Sequence, residues 1–305
     1  MHKIEALSQA KSDMKILNKQ IIKDVAGVKI KQLDIFSPDI AANAQPGQFV
    51  MLMASENGER IPLTLVNTDK IKGTLSLIFQ EAGFTTQSLG RLNPGDSLYS
   101  LVGPLGHPTE IKKYGKIILV GGGVGIAEIL PVARALKKAG LPAGQAGNHI
   151  TTILGSRNKD LLILEAELKS ASDQIYIMTD DGSYGRKGFT TDMLKELLSK
   201  DKYDLIYSVG PIPMMKMVAG ISKEYQIKTL VSSNALMVDA TGMCGCCRVS
   251  VFGEVKFSCV DGPDFDGHGV DWEELEKRNK VYSVQEKHIC NLKKNNGDGS
   301  IFPRV

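Results

Sequence analysis

Asp239, Cys244, Cys247 and Cys259 stand in the spacing D-x4-C-x2-C-x11-C. A plant-type iron–sulfur site uses C-x4-C-x2-C followed by a distant cysteine, so this pattern departs from it only by an oxygen donor in first place. Such a site needs anionic donors converging on a small volume, and Gly242 and Gly245 let the intervening loop wrap closely around it. A carboxylate carries the charge of a thiolate but is a harder donor, so Asp239 would fill the position while altering potential and lability. Zinc competes, because C-x2-C with a later cysteine and an acidic fourth donor also suits a tetrahedral site. Structural zinc, however, usually takes a second closely spaced pair. The bland alternative is that the thiols are buried packing residues. Cys246 and Cys290 have no place in the pattern and are free thiols or packing residues by default.

Four more clusters have the residue types of phosphate and ribose contacts, each at the end of an apolar run. Residues 116–120 read as a buried parallel strand that runs into Gly121, Gly122, Gly123 and Gly125, ahead of a helix expected over 128–139. Such glycines admit a pyrophosphate, although G-G-G-x-G is not the dinucleotide spacing G-x-G-x-x-G and a strand-to-helix turn favours glycine on steric grounds alone. The run 150–154 ends in Gly155, Ser156 and Arg157, before a helix expected through 161–168. The run 174–178 ends in Asp180, Asp181 and Gly182, and 205–209 ends in Gly210, Pro211, Met214 and Met215. Ligands of open parallel sheets lie beyond the carboxyl ends of the strands, so these four loops should converge on one ligand. Arg157 suits a 2′-phosphate and Asp180 or Asp181 suits ribose hydroxyls, which leaves NAD and NADP both open; a solvated turn is the plain reading of 180–182. Residues 140–148, rich in Gly and Pro, read as a surface insertion.

The elements that position these residues fall into two patterns. From about 15 to 113, short alternating runs separated by Pro-Gly, Asn-Gly and Lys-Gly turns suggest a small antiparallel barrel. Within it Arg60, Pro62, Leu63 and Thr64 begin a strand. Gly83, Thr85 and Thr86 begin a short helix whose free amides and dipole suit a diphosphate, with an ordinary threonine cap as the alternative. From 115 onward the alternation becomes β-α-β, which implies a doubly wound parallel sheet. His268 lies in an Asp/Gly-rich loop and is taken as structural or exposed, and the segment beyond about Arg278 as peripheral.

With 305 residues, 42% hydrophobic and 23% charged, the chain is long enough for two core-forming domains and a small appendage. A net charge of +3 is too small to argue for nucleic acid or a membrane surface, and neither is expected as partner. No apolar run approaches a membrane span, the first residues do not form a signal segment, and an odd count of five cysteines fits a reducing compartment, so a cytoplasmic location is expected.

The order of barrel, nucleotide domain and iron–sulfur loop resembles the ferredoxin reductase superfamily, in the branch of dihydroorotate dehydrogenase electron-transfer subunits and sulfide dehydrogenases. Within it the chain is most similar to the small (alpha) subunits of NADH-dependent reduced ferredoxin:NADP oxidoreductases, which are bifurcating transhydrogenases. The likeness runs from about Ile16 to Leu275 and rests on the segments 155–165, 180–188, 210–215, 237–239 and 259–267. It implies a fold of β-barrel FAD domain, α/β doubly wound nucleotide domain and small iron–sulfur loop domain. The divisions would be an extension over 1–14, the barrel over 15–113, the NAD domain over 114–232, the cluster domain over 233–275 and a tail over 276–305.

It implies FAD with Arg60, Pro62, Leu63 and Thr64 near the isoalloxazine and Gly83, Thr85 and Thr86 at the diphosphate. NAD(H) would lie over Gly121, Gly122, Gly123, Gly125, Gly155, Ser156, Arg157, Asp181, Gly210, Pro211, Met214 and Met215, and a [2Fe-2S] cluster on Asp239, Cys244, Cys247 and Cys259. Pyrimidine-pathway relatives have cysteine in the first cluster position, so Asp239 favours the transhydrogenase. Arg60 stands one residue further from Thr64 than in the superfamily's R-x-Y-[ST], and Glu128 replaces a common proline, a change expected to affect only the start of its helix. The implied partner is a larger flavin and [4Fe-4S] subunit resembling the small subunit of glutamate synthase, with ferredoxin reached through the complex. Hydride exchange between nicotinamide and FAD needs no acid–base side chain, so no catalytic residue is assigned. Three other readings stay open: service to dihydroorotate dehydrogenase, sulfide dehydrogenase or polysulfide reductase activity, and a zinc-stabilised binding module.

Overall fold

The computed structural model describes residues 14–139, 147–286 and 288. Residues 140–146 of the expected insertion, most of the N-terminal extension and Cys290 therefore lie outside the described residues.

The first half is a six-stranded antiparallel sheet of β1 (Ile16–Val25), β2 (Val28–Phe36), β3 (Phe49–Met53), β4 (Ile61–Asp69), β5 (Thr74–Gln80) and β6 (Ser100–Leu105), ordered β1-β2-β5-β4-β3-β6. Period-two alternation puts Leu33, Ile35, Leu75, Leu77 and Leu52 on one buried face. A bridge between Lys15 and Ser97 draws the start of β1 to the segment before β6, so the sheet curls into the expected barrel-like form. Helix α1 (Pro38–Asn43) packs against β4, β5 and β6, and helix α2 (Phe84–Arg91) lies between β5 and β6 in the chain.

The second half holds a seven-stranded sheet. Its central strands β7 (Lys116–Gly122), β8 (His149–Ser156), β9 (Gln174–Thr179) and β11 (Leu205–Val209) are parallel, as their unbroken apolar runs demand. The order is β10-β9-β8-β7-β11-β12-β15, where β10 is Arg186–Lys187, β12 is Thr229–Ser232 and β15 is Asp264–Asp266. β15 is antiparallel, so a strand from beyond the cysteine loop closes the edge of the nucleotide sheet. Helices α3 (Ile126–Lys138), α4 (Glu165–Ala171), α5 (Thr190–Lys200) and α6 (Ile212–Glu224) cover the two faces. Ile117, Ile118, Leu119, Val120 and Ile206 are fully buried between them, each burial favouring the fold by about 1.5–3 kcal/mol.

The helix expected through 161–168 begins only at Glu165. Leu164 stands at φ 56°, a left-handed conformation that ends one turn before the next can start, and Leu162 and Ile163 are pulled into the core as extended chain. A hairpin of β13 (Arg248–Val251) and β14 (Glu254–Phe257), followed by helix α7 (Trp272–Asn279), completes the described fold. Among the described residues no helix is long and apolar enough to cross a membrane.

Candidate functional site

Between the barrel and the carboxyl ends of the parallel strands lies a cavity of about 940 Å³, at the upper end of the range for small-molecule sites. Pro62, Leu63 and Thr64 of β4 and Thr86 of α2 line its barrel side. Gly122, Gly123 and Gly125 after β7, Gly155, Ser156 and Arg157 at the end of β8, and Gly210, Pro211 and Met214 after β11 line the other. The loops that sequence spacing brought to one end of the sheet thus face one space, as strand topology requires.

Other expected residues lie elsewhere. Asp181 is exposed and accepts the Ser183 amide at 2.9 Å; the Ser183 hydroxyl first and this amide second lower its pKa, while its neighbour Asp180 reaches the cavity. Gly121 and Met215 are packed behind the lining, Met215 with no exposed surface. Thr85 donates to Glu59 at 2.9 Å, and the Thr86 hydroxyl caps its own helix by accepting the amides of Ala82 and Gly83 at 3.0 and 3.1 Å. The glycine run after β7 has packing reasons of its own: a Cβ on Gly125 would stand 2.9 Å from the Val209 carbonyl oxygen, and one on Gly122 would meet the Met214 sulfur at 2.6 Å. Only Gly123, at φ 57° with open space around it, is free of such contacts.

The cysteine loop follows β12 and is pinned from α7. Arg278 donates to the carbonyls of Gly245 and Cys246 at 3.2 and 3.0 Å, and Asn279 holds the backbone of Asn234 and Leu236. Arg278 therefore fixes the turn between Cys244 and Cys247, contrary to the expectation that the chain from about there is peripheral. Ala240, Gly242 and Gly245 take positive φ, which folds the loop back on itself. Cys247 and Cys259 are buried side by side: the Cys259 amide donates to the Cys247 sulfur at 3.4 Å, and burial, with the neighbouring thiol next, pushes Cys259 up to about 12. Cys244 is exposed at the rim and Cys246 half-buried.

Asp239 is turned to the barrel. Its Oδ1 accepts from Arg60 Nη1 at 2.8 Å and its other oxygen accepts from the Thr241 hydroxyl. Arg60 and Asp239, read from opposite ends of the chain as flavin and cluster residues, are thus joined, and Arg60 does not line the cavity. Among the described residues no three His, Cys, Asp or Glu side chains stand close enough to hold an ion, so the quartet is not drawn together as it stands. The donor chemistry nonetheless suits iron: Cys244 and Cys247 stand on one short glycine loop and Cys259 follows the β13–β14 hairpin (248–257), with Cys247 and Cys259 shielded from water and in contact.

Glu128 corrects another expectation. It does not merely start a helix: it lines the cavity, is 9% exposed, and its Oε2 accepts the Thr64 hydroxyl at 3.1 Å while its Oε1 meets the Tyr207 hydroxyl at 3.2 Å. Burial raises its pKa, against hydrogen bonds from Ser232, Thr64 and Tyr207. Tyr207, fully buried on β11, also meets Asp264 Oδ1 at 3.0 Å, and Thr109 donates to Asp264 Oδ2 at 2.6 Å. Burial, then the charge of Glu128, pushes Asp264 up to about 7. Also unforeseen were Phe189, Thr190 and the Ser232-Ser233-Asn234 turn on the cavity wall; the short apolar run ending at Ser232 was the available signal. His268, half-buried with Nε2 2.9 Å from the Ser222 hydroxyl, is structural as expected.

The chain matches the iron–sulfur cluster binding domain of dihydroorotate dehydrogenase B over residues 234–271 and the oxidoreductase NAD-binding domain over 119–220. It is 48% identical over 253 residues to a dihydroorotate dehydrogenase B (NAD(+)) electron transfer subunit homolog of Thermotoga maritima, covering 83% of this chain and 87% of the relative. It is 34% identical to a probable dihydroorotate dehydrogenase B (NAD(+)) electron transfer subunit of Methanopyrus kandleri, over 75% of this chain and 81% of the relative. A chain from the structure of an NADH-dependent reduced ferredoxin-NADP oxidoreductase, described for flavin-based electron bifurcation, superposes with TM-score 0.85 at 42% identity, over 93% of this chain and 98% of that one. The ferredoxin-NADP+ reductase of Plasmodium falciparum, at 15% identity, TM-score 0.56, and 71% and 94% coverage, shares the fold alone.

Proposed function

The chain belongs to the family of dihydroorotate dehydrogenase B electron transfer subunits and their homologues, and from that premise we propose that it is the NAD(H)-linked subunit of an electron-bifurcating NADH-dependent ferredoxin:NADP oxidoreductase. Membership makes it an oxidoreductase that works with a flavin, an iron–sulfur cluster and NAD(H). The cofactors carry the chemistry, hydride exchange between nicotinamide and isoalloxazine and single-electron passage through the cluster; the protein supplies geometry and electrostatics.

In this reading Pro62, Leu63 and Thr64 bear on the isoalloxazine and Thr86 stands near the diphosphate. Gly122, Gly123, Gly125, Gly155, Ser156, Arg157, Gly210, Pro211 and Met214 receive the nicotinamide dinucleotide. Asp239, Cys244, Cys247 and Cys259 hold a [2Fe-2S] cluster, and Arg60, which touches Asp239, orients that oxygen donor from the flavin strand. The divisions are those expected from sequence: barrel 15–113, nucleotide domain 114–232 and cluster domain 233–275. The partner is a larger flavin and [4Fe-4S] subunit of the glutamate synthase small-subunit type, through which ferredoxin and NADP are reached.

The observation that carries the bifurcating reading is Asp239, a carboxylate in the first donor position and ion-paired at 2.8 Å to the barrel. The near full-length likeness to the bifurcating oxidoreductase supports it. A second reading, service to dihydroorotate dehydrogenase, is favoured by the names of the relatives. Anaerobic pull-down of the tagged chain from its native cells separates the two. Recovery of a large flavin and [4Fe-4S] subunit, with a [2Fe-2S] signal lost in Asp239→Ala, supports the first; recovery of dihydroorotate dehydrogenase replaces it with the second.

A further inference from the structure

The hydroxyl of Tyr207 lies 3.2 Å from Glu128 Oε1 and 3.0 Å from Asp264 Oδ1. A phenol has one proton to give, so it satisfies only one of these oxygens. The other contact is a hydrogen bond only if that carboxyl itself carries a proton and donates it to the phenol oxygen; two ionised carboxylates would leave one oxygen facing a lone pair. The remaining oxygens take their donors from Thr64 and Thr109. The Ser232 hydroxyl stands near both carboxyls and, with one proton, can donate to only one of them. Tyr114 lies within electrostatic reach of Asp264. Among the described residues neither carboxyl has an ion-pair partner, so no cation settles the second charge.

The two ends of this chain of groups differ. Glu128 is nearly buried and lines the cavity beside Thr64, whereas Asp264 stands on the edge strand β15, with its carboxyl turned inward onto Tyr207 and Thr109. Serines and threonines in these places would satisfy the same hydroxyls without the cost of placing carboxyls in a low-dielectric interior.

We propose that Glu128 and Asp264 share one proton across Tyr207, and that the pair takes up a second proton from solvent when the cavity gains negative charge. The inference rests on the reading that a flavin occupies this cavity. Hydride arrival from NADH brings two electrons and one proton and leaves the cavity one negative charge richer. The pair, holding one proton and one negative charge, becomes neutral by binding one proton from water. When the two electrons leave singly, the proton that came with the hydride and the one bound by the pair both return to solvent, so atoms and charge balance over a turnover.

The test is a spectroelectrochemical titration of flavin absorbance in the purified holoprotein at pH values bracketing neutrality, joined to a reduced-minus-oxidised infrared difference spectrum. The slope of potential against pH gives protons bound per two electrons: about two near neutral pH in the native protein and about one in Glu128→Gln and Asp264→Asn. A carboxylic-acid carbonyl band should grow on reduction, shift in heavy water, and be unchanged in the surface control Glu196→Gln. Should the Glu128 and Asp264 variants fail to fold, the native infrared band and slope decide. One proton per electron pair in the native protein with no carboxyl band overturns the inference while leaving the flavin reading intact. A purified chain that binds no flavin overturns the reading, and the inference with it.

Discussion

Tyr207→Phe removes one oxygen from a ring that is fully buried and leaves the packing of β11 in place, so it isolates the hydroxyl. The cost should depend on pH. At about pH 5 Asp264, whose pKa is pushed up to about 7, is neutral, and losing the hydrogen bond costs about 1 kcal/mol. At about pH 8.5 the same oxygen is charged; hydrogen bonds to charged groups contribute about 1.5–3 kcal/mol, so the loss should rise to roughly 2–3 kcal/mol. The sign follows from the donor: Tyr207 favours the ionised form of Asp264, so its removal must raise that pKa further. Urea unfolding at the two pH values, native against variant, with unchanged slope on denaturant, reads the difference. A penalty below about 0.5 kcal/mol at both pH values, or one equal at both, would refute the shared-oxygen geometry.

Stability of the native protein should itself fall as pH rises. Asp264 binds its proton more tightly folded than unfolded, so its contribution is complete below about pH 4 and lost as pH climbs through about 7, up to about 4 kcal/mol, with Glu128 acting in the same direction; Asp264→Asn should flatten the curve. Gly125→Ala should destabilise by about 1–3 kcal/mol, because its methyl meets the Val209 carbonyl at 2.9 Å and the Gly210 backbone at 3.0 Å; an unchanged unfolding midpoint would mean that the turn relaxes freely. Arg60→Ala should cost under about 1 kcal/mol of folding stability, since the ion pair is half exposed, yet shift the visible spectrum of the cluster. An unaltered spectrum would place Arg60 outside the cluster's surroundings.

The parallel strands were legible because fully covered β-structure writes itself as unbroken apolar runs such as 116–120 and 205–209. Their carboxyl-end loops were legible for the same reason: once the strands are parallel, Gly155 to Arg157 and Gly210 to Met214 have one side of the sheet to occupy. Contacts far apart in sequence were not. No local signal told that Arg60 would reach Asp239, 179 residues on, or that Glu128 and Asp264 would meet at Tyr207. Short strands such as β15 carry too few residues for a period, and Leu164 breaks its helix through a backbone conformation that its side chain does not announce. The glycines after β7 were read toward a ligand, and most of them also answer to packing.

The account turns on one chain carrying a flavin and a cluster in electronic contact with NADH. Anaerobic titration of the purified chain with NADH, followed by absorbance and low-temperature EPR, tests this directly. The account predicts flavin bleaching at stoichiometric NADH together with the signal of a reduced [2Fe-2S] cluster, and loss of the EPR signal with retained bleaching in Cys259→Ser. A chain that binds zinc in place of iron, or a flavin that NADH leaves oxidised, would contradict it.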